Sequence, residues 1–163
     1  FFGMILKVGN FESFGIPVFW VGQVKAKHAF SITYQRLIYR SEKVFSLDWG
    51  ASVTAFQSEL TSENVMAFSI FPVLRFYLLR KKEFDFYANY SLIGPTYITK
   101  SNIDGFESGP KITYQDTMGF GVFFGKDRKY NFELRIMHYS NGNIFTGNDG
   151  VAVPLQITLG KTF

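Results

Sequence analysis

The chain has 163 residues, of which 47% are hydrophobic, 19% aromatic and only 18% charged, with 20 Phe and 9 Tyr. No run of about 18 apolar residues occurs, which excludes a transmembrane helix, and the absence of Cys excludes disulfides and thiolate metal sites. The net charge of +4 is scattered among turns rather than gathered on one face, which argues against nucleic acid and fits an anionic lipid surface.

The sequence opens at Phe1 without Met and is read as a mature or trimmed form, one domain over residues 1–163. Residues 1–26 offer two candidates for a first strand, Phe2–Asn10 and Gly15–Val24, the second carrying Pro17, which suits only a strand edge. His28, in Lys25-Ala26-Lys27-His28, reads as an exposed loop histidine ahead of a strand over 29–40. From 43 to 58 the alternation is clear: Phe45, Leu47, Trp49, Ala51, Val53 and Ala55 share one face, and Ser46, Asp48, Gly50, Ser52 and Thr54 the other. Over 65–79, Met66, Phe68, Ile70, Leu74, Phe76 and Leu78 oppose Ala67, Ser69, Phe71, Val73, Arg75 and Tyr77. Over 84–98, Phe84, Phe86, Ala88, Tyr90 and Leu92 oppose Asp85, Tyr87, Asn89 and Ser91. Over 111–125 the apolar face is Met118, Phe120, Val122 and Phe124, opposed by Thr113, Gln115, Thr117 and Gly119. Further strands span 130–141 and 151–163, the last with Val153, Leu155, Ile157, Leu159 and Phe163 on one parity.

Short turns near Ser41-Glu42, Arg80–Glu83 and Lys126–Lys129 alternate with long polar connections at about 58–64, 99–110 and 142–150. Each alternating run exceeds the roughly 9–11 residues a tilted strand needs to cross a bilayer. A soluble sandwich or lipocalin-like barrel also alternates, but with its apolar face inward and strands of about 5–6 residues. The expected fold is therefore all-β, an eight-stranded antiparallel transmembrane β-barrel with an apolar outer wall. Arg75, Asp85, Glu133 and Arg135 then fill the lumen as a salt-bridged plug. Trp20 and Trp49 are candidates for interfacial belts.

One strand departs from its own pattern. Phe132, Leu134 and Ile136 form the apolar face, and the same parity continues into His138 and Ser140, placing two polar groups on the lipid side at the outer end. If the preceding hairpin closes around Asp127, apolar residues stay on one face when Phe124 pairs with Tyr130, Val122 with Phe132 and Phe120 with Leu134. That register sets Asp116 opposite His138 and Tyr114 opposite Ser140. Polar groups facing lipid are costly away from the rim, and a His between a carboxylate and a Ser hydroxyl has the parts of an acyl-transfer site.

At these residues the sequence resembles the lipid A 3-O-deacylase family of outer-membrane esterases, the PagL type. The resemblance rests on His138-Tyr139-Ser140-Asn141, on Asn148-Asp149-Gly150 and on Tyr114-Gln115-Asp116, with weaker similarity back to about residue 43. It implies a Gram-negative outer-membrane barrel that hydrolyses the ester-linked acyl chain at the 3 position of lipid A. By the resemblance Ser140 is the nucleophile, His138 its general base, Asn141 with the following backbone the oxyanion support, and Asn148 a support of the site. Tyr114, Tyr139 and Gly142 are candidate substrate contacts. No metal or organic cofactor is implied; the implied partners are lipid A, outer-membrane lipids and, as a candidate, a second copy of the chain.

The family's acid, two residues after the Asn-Asp-Gly glycine, is here Ala152. Three readings stay open: Asp116 replaces it, the protein is an inactive form, or it binds lipid A without cleaving it. A structural barrel would need no lipid-facing polar cluster, and an acyltransferase would need an acyl channel that Phe71, Tyr77 and Tyr87 disfavour.

Overall fold

The computed structural model describes residues 2–6, 24–42 and 44–162. Eight strands form one sheet: β1 (Phe2–Leu6), β2 (Val24–Arg40), β3 (Phe45–Ser58), β4 (Asn64–Arg80), β5 (Phe84–Ile98), β8 (Ile112–Phe124), β9 (Tyr130–Ser140) and β10 (Val151–Lys161). Two short strands, β6 (Asn102–Ile103) and β7 (Phe106–Glu107), pair with each other in the connection between β5 and β8. Consecutive sheet strands pair antiparallel, and β1 joins β2 on one side and β10 on the other, so the ring of pairings closes. The first strand falls inside the Phe2–Asn10 candidate; Gly15–Val24 lies outside the described residues apart from Val24, as do Trp20 and Phe163.

The long strands match the expected ones closely, except that β2 begins at Val24 rather than 29. His28 is therefore exposed on a strand, where the register slips between Ala26 and His28, and not in a loop. The alternation divides the sheet as expected. Ile32, Val53, Phe68, Ile70, Phe120 and Leu134 are exposed on the outer wall, while Ser31, Ser52, Ser69, Arg75, Tyr87 and Glu133 are buried in the lumen. Exposed apolar side chains on every long strand are the signature of a wall that meets hydrocarbon. The turns Ser41–Val44, Lys81–Glu83 and Gly125–Lys129 lie at one end of the barrel; the connections 59–63, 99–111 and 141–150 lie at the other.

Among the bulges that break the period, two flank the polar outer cluster. In β5 the register slips between Ser91 and Gly94, and Ile93 adopts φ 56°, a left-handed conformation costly for a β-branched residue. In β10 it slips between Val153 and Gln156, across Pro154, which has no N–H to give the ladder. This corrects one expectation. Val153 is buried in the lumen with Val151, while Leu155, Ile157 and Leu159 face out; the single parity assigned to them from sequence is split by the bulge.

The lumen is filled in two layers. Toward the short turns Arg75 bonds to Asp48 and Gln35, its guanidinium lies 3.9 Å from Glu133, and Tyr87 donates to Glu133 at 2.6 Å. Arg135 lies 3.5 Å from Glu133 and Arg128 3.1 Å from Asp85, so the four charges expected in the lumen are there and paired. Gly121 makes room for this layer, since a Cβ there would sit 2.5 Å from the Tyr87 ring. Toward the long loops the filling is apolar: Phe56, Val65, Ile98, Met137, Tyr139 and Val153 pack together. The outer ends of the strands that carry the polar cluster thus stand against this packed apolar layer.

Candidate active site

The register of β8 against β9 follows from keeping apolar side chains on one face, and the structure has that register: Met118 opposite Ile136, Asp116 opposite His138 and Tyr114 opposite Ser140. On the other flank β10 sets Ala152 opposite His138. Asp116, His138 and Ala152 therefore form one row across three strands on the outer wall, with directly opposed Cβ atoms about 4.5–5.5 Å apart. Ser140 stands on the same face of β9, two residues further toward the long loops, at the strand's last position. His138 is buried, at 7% exposure, and interacts electrostatically with Asp116; Ser140, Asp116 and Ala152 are half-buried.

Asp116 has a second partner. Its Oδ1 accepts the N–H of Ile93 at 2.9 Å, which anchors the strained bulge of β5. One carboxylate thus links a backbone irregularity on β5 to the imidazole on β9. The sequence carries a faint signal of it, in that Leu92-Ile93 puts two apolar residues where the alternation allows one.

The loop after Ser140 is tied down at its base. Asn141 N–H donates to Asn148 Oδ1 at 2.8 Å, and Asn141 Nδ2 donates to Gly147 O at 2.7 Å and Ser108 O at 3.5 Å. Asn148 Nδ2 in turn donates to Asn143 Oδ1 at 2.9 Å. Glu107 N–H donates to Asp149 Oδ2 at 2.8 Å, joining this loop to the neighbouring one. Gly109, at φ 83°, lets the two loops meet, because a Cβ there would lie 2.4 Å from Asn141 Nδ2. Asn141 is fully buried, so its amide holds the loop rather than facing the outer wall beside Ser140. Asn148 ties the two ends of this loop segment through Asn141 and Asn143.

Tyr139 requires a correction. It points into the lumen, 1% exposed and stacked on Phe56 with ring centroids 6.2 Å apart, because neighbours on a strand face opposite sides. It cannot touch a molecule on the lipid side. Tyr114 is on the lipid side across from Ser140, and Gly142 is exposed with φ 62° at the start of the loop.

The remaining outer connections form a clip. Asp104 accepts from Ser58 Oγ at 2.6 Å, from Thr61 Oγ1 at 2.5 Å and from the N–H groups of Thr61 and Leu60 at 2.9 and 3.1 Å. Burial would raise its carboxyl, but these hydrogen bonds outweigh burial and hold it down at about 2.

Below the Asp116–His138 row, on the membrane side, an apolar furrow of about 570 Å³ runs along the outer wall, lined by Ala88, Tyr90, Met118, Phe120, Leu134 and Ile136. It was not foreseen from sequence, since it depends on the small Ala88 standing opposite Phe120 among larger residues of neighbouring strands. Among the described residues no cluster of His, Asp and Glu could hold a metal ion.

A closed sheet with an apolar outer wall, a lumen holding a charged layer and an apolar one, and its long loops gathered at one end is an outer-membrane β-barrel, here with its polar outer cluster on the lipid side. The chain belongs to the lipid A 3-O-deacylase (PagL) family, whose model matches residues 22–153. A solved structure described as the crystal structure of the outer membrane enzyme PagL aligns with a TM-score of 0.72 over 99% of this chain and 99% of that one. The two are 12% identical, so this likeness bears on the fold. No curated protein matches the chain.

Proposed function

We propose that the protein is an esterase that removes the ester-linked 3-position acyl chain of lipid A in the outer leaflet, with Ser140 as nucleophile and His138 as general base. The observation that carries the reading is the placement of both side chains on the lipid face at the outer end of β9, directly above the apolar furrow. An acyl chain lying in that furrow puts its ester at the height of His138 and Ser140, where hydrocarbon gives way to headgroups.

His138 takes the hydroxyl proton as Ser140 Oγ attacks the ester carbonyl, and returns it to the departing sugar oxygen. Water activated by the same imidazole then releases the fatty acid from Ser140. With the Asn141 amide committed to Gly147 and Ser108, the oxyanion falls to backbone N–H groups at Gly142 and Asn143. Asp116 is the orienting acid in this reading, supplying from β8 the charge that Ala152 on β10 cannot.

A second reading has one observation behind it. Ala152 lies directly beside His138, so the flank opposite Asp116 offers the imidazole no hydrogen-bond acceptor from its side chain, as in a barrel that binds lipid A without cleaving it. Mass spectrometry of lipid A incubated with the refolded protein, with Ser140→Ala and with Ala152→Glu separates the two. Loss of one 3-hydroxyacyl mass, absent in Ser140→Ala, supports the esterase. Cleavage by Ala152→Glu alone marks a silenced enzyme on an intact scaffold, and no cleavage by any folded variant supports the binding protein.

A further inference from the structure

The outer end of the barrel has an unusual seam. Among the described residues β1 pairs with β2 through Phe2–Leu6 against Phe30–Tyr34, and with β10 through Ile157–Lys161. Beyond it, β10 meets β2 directly and in parallel, Val151 with Val24 and Ala152 with Lys25, sealed by Val24 N–H donating to Gly150 O at 3.2 Å. The row Asp116–His138–Ala152 therefore continues into a fourth strand, and its next member is Lys25.

Val24 and Ala26 are buried in the lumen, so Lys25 and Lys27 between and beyond them are on the outer wall, and both are exposed. The Cα of Lys25 lies two strand spacings from that of His138, roughly 10 Å. In the strand pairing the residue between them is Ala152, whose methyl brings neither bulk nor charge. Among the described residues neither lysine forms an ion pair, whereas Lys100 on the same rim is neutralised by Glu63 at 2.9 Å. Glu59 meets Lys25 through its backbone N–H, which donates to Lys25 O at 2.9 Å.

Two ammonium groups with no ion-pair partner among the described residues, at headgroup height beside the candidate catalytic row, suit a phosphate dianion. We propose that Lys25, seconded by Lys27, is a phosphate-binding subsite that takes a sugar-borne phosphate of the lipid while its ester lies at Ser140 and His138. The inference rests on the esterase reading for the identity of the lipid. It makes Lys25 a residue that sets which headgroup is accepted, apart from the furrow that accepts the chain.

The test uses the full chain carrying Ser140→Ala, refolded in dodecyl maltoside micelles, titrated with bisphosphorylated and with monophosphorylated lipid A. The parent should prefer the bisphosphorylated form by about tenfold, the fold-change of one charge-assisted contact. Lys25→Gln should bring the two affinities together while leaving that for the monophosphorylated lipid in place, and Lys25→Arg should keep the preference. An undiminished preference in Lys25→Gln, or none in the parent, overturns the subsite. Inorganic phosphate at matched phosphorus should fail to compete; if it competes mole for mole, the site is one for free phosphate and the headgroup assignment falls. A preference in this titration, with no hydrolysis of lipid A by the chain that keeps Ser140, would sink the esterase reading and leave the subsite standing. Normal hydrolysis without a preference would do the reverse.

Discussion

Replacing Arg75 with Met removes the cation at the centre of the inner lumen layer. In the native protein its guanidinium meets Asp48 and Gln35, lies 3.9 Å from Glu133, and sits 5.4 Å from the ring centroids of both Tyr87 and Phe123. The side chains of Arg75, Asp48 and Glu133 are 2%, 8% and 1% exposed, so none can turn to solvent when its partner goes. Glu133 keeps Arg135 at 3.5 Å and the Tyr87 hydroxyl at 2.6 Å, which leaves Asp48 as the group that loses its ion pair. An orphaned buried carboxylate costs about 3–5 kcal/mol, whereas exchanging both members of such a pair for apolar residues is close to neutral. Arg75→Met should therefore lower unfolding stability by about 3–5 kcal/mol, and Arg75→Met with Asp48→Leu should recover most of that loss. Urea unfolding of the barrel in detergent, followed by tryptophan fluorescence, measures both. A single mutant within about 1 kcal/mol of the parent, or a double mutant as unstable as the sum of its parts, would refute this account of the lumen.

Asp116→Asn keeps an oxygen for the Ile93 N–H while removing the charge beside His138, so hydrolysis should fall by up to about ten-thousandfold with little change in unfolding midpoint; an unchanged rate would remove Asp116 from the site. Because the Asp104 carboxyl is held at about 2 in the folded chain, below its ordinary value of about 3.9, its contribution is complete above that ordinary value and is lost as pH falls from about 4 toward 2. Hydrogen exchange in residues 58–64 and 99–105 should accelerate over that window, and Asp104→Asn should show the fast exchange already at pH 7. Gly109→Ala forces a Cβ to within 2.4 Å of Asn141 Nδ2 at a φ of 83°, so turnover should drop several-fold while thermal unfolding of the barrel stays put; intact turnover would show that the loop base does not position Ser140.

Much of this architecture was legible because a strand has a period of two and the wall it forms must meet hydrocarbon on one side. Register between β8 and β9 could be derived from Phe120, Val122, Leu134 and Phe132 alone, since any odd slip would turn them into the lumen. The same rule fails at Pro154 and at Ile93, where an extra residue resets the parity and nothing in the local pattern says by how much. Asp104-Gly105 is a turn pair that could have marked the small hairpin of β6 and β7, both residues having positive φ, but two-residue strands leave no alternation to read. Of the site, the Asp116–His138 pairing and the lipid-side placement of Ser140 were accessible from one hairpin. The inward turn of Asn141, the furrow and the neighbourhood of Lys25 depend on contacts between strands far apart in sequence.

The candidate site is assembled across the joint between the two ends of the chain. His138 comes from β9, Ala152 from β10 and Lys25 from β2, and the last step between them is the parallel contact that exists only once the first and last strands have met. A partly inserted chain, with its hairpins formed but its ends apart, holds His138 and Ser140 together and leaves the headgroup side of the row missing. On the subsite proposed at Lys25, headgroup recognition belongs to the closed cylinder and to no single hairpin, a property the chain gains with its last pairing.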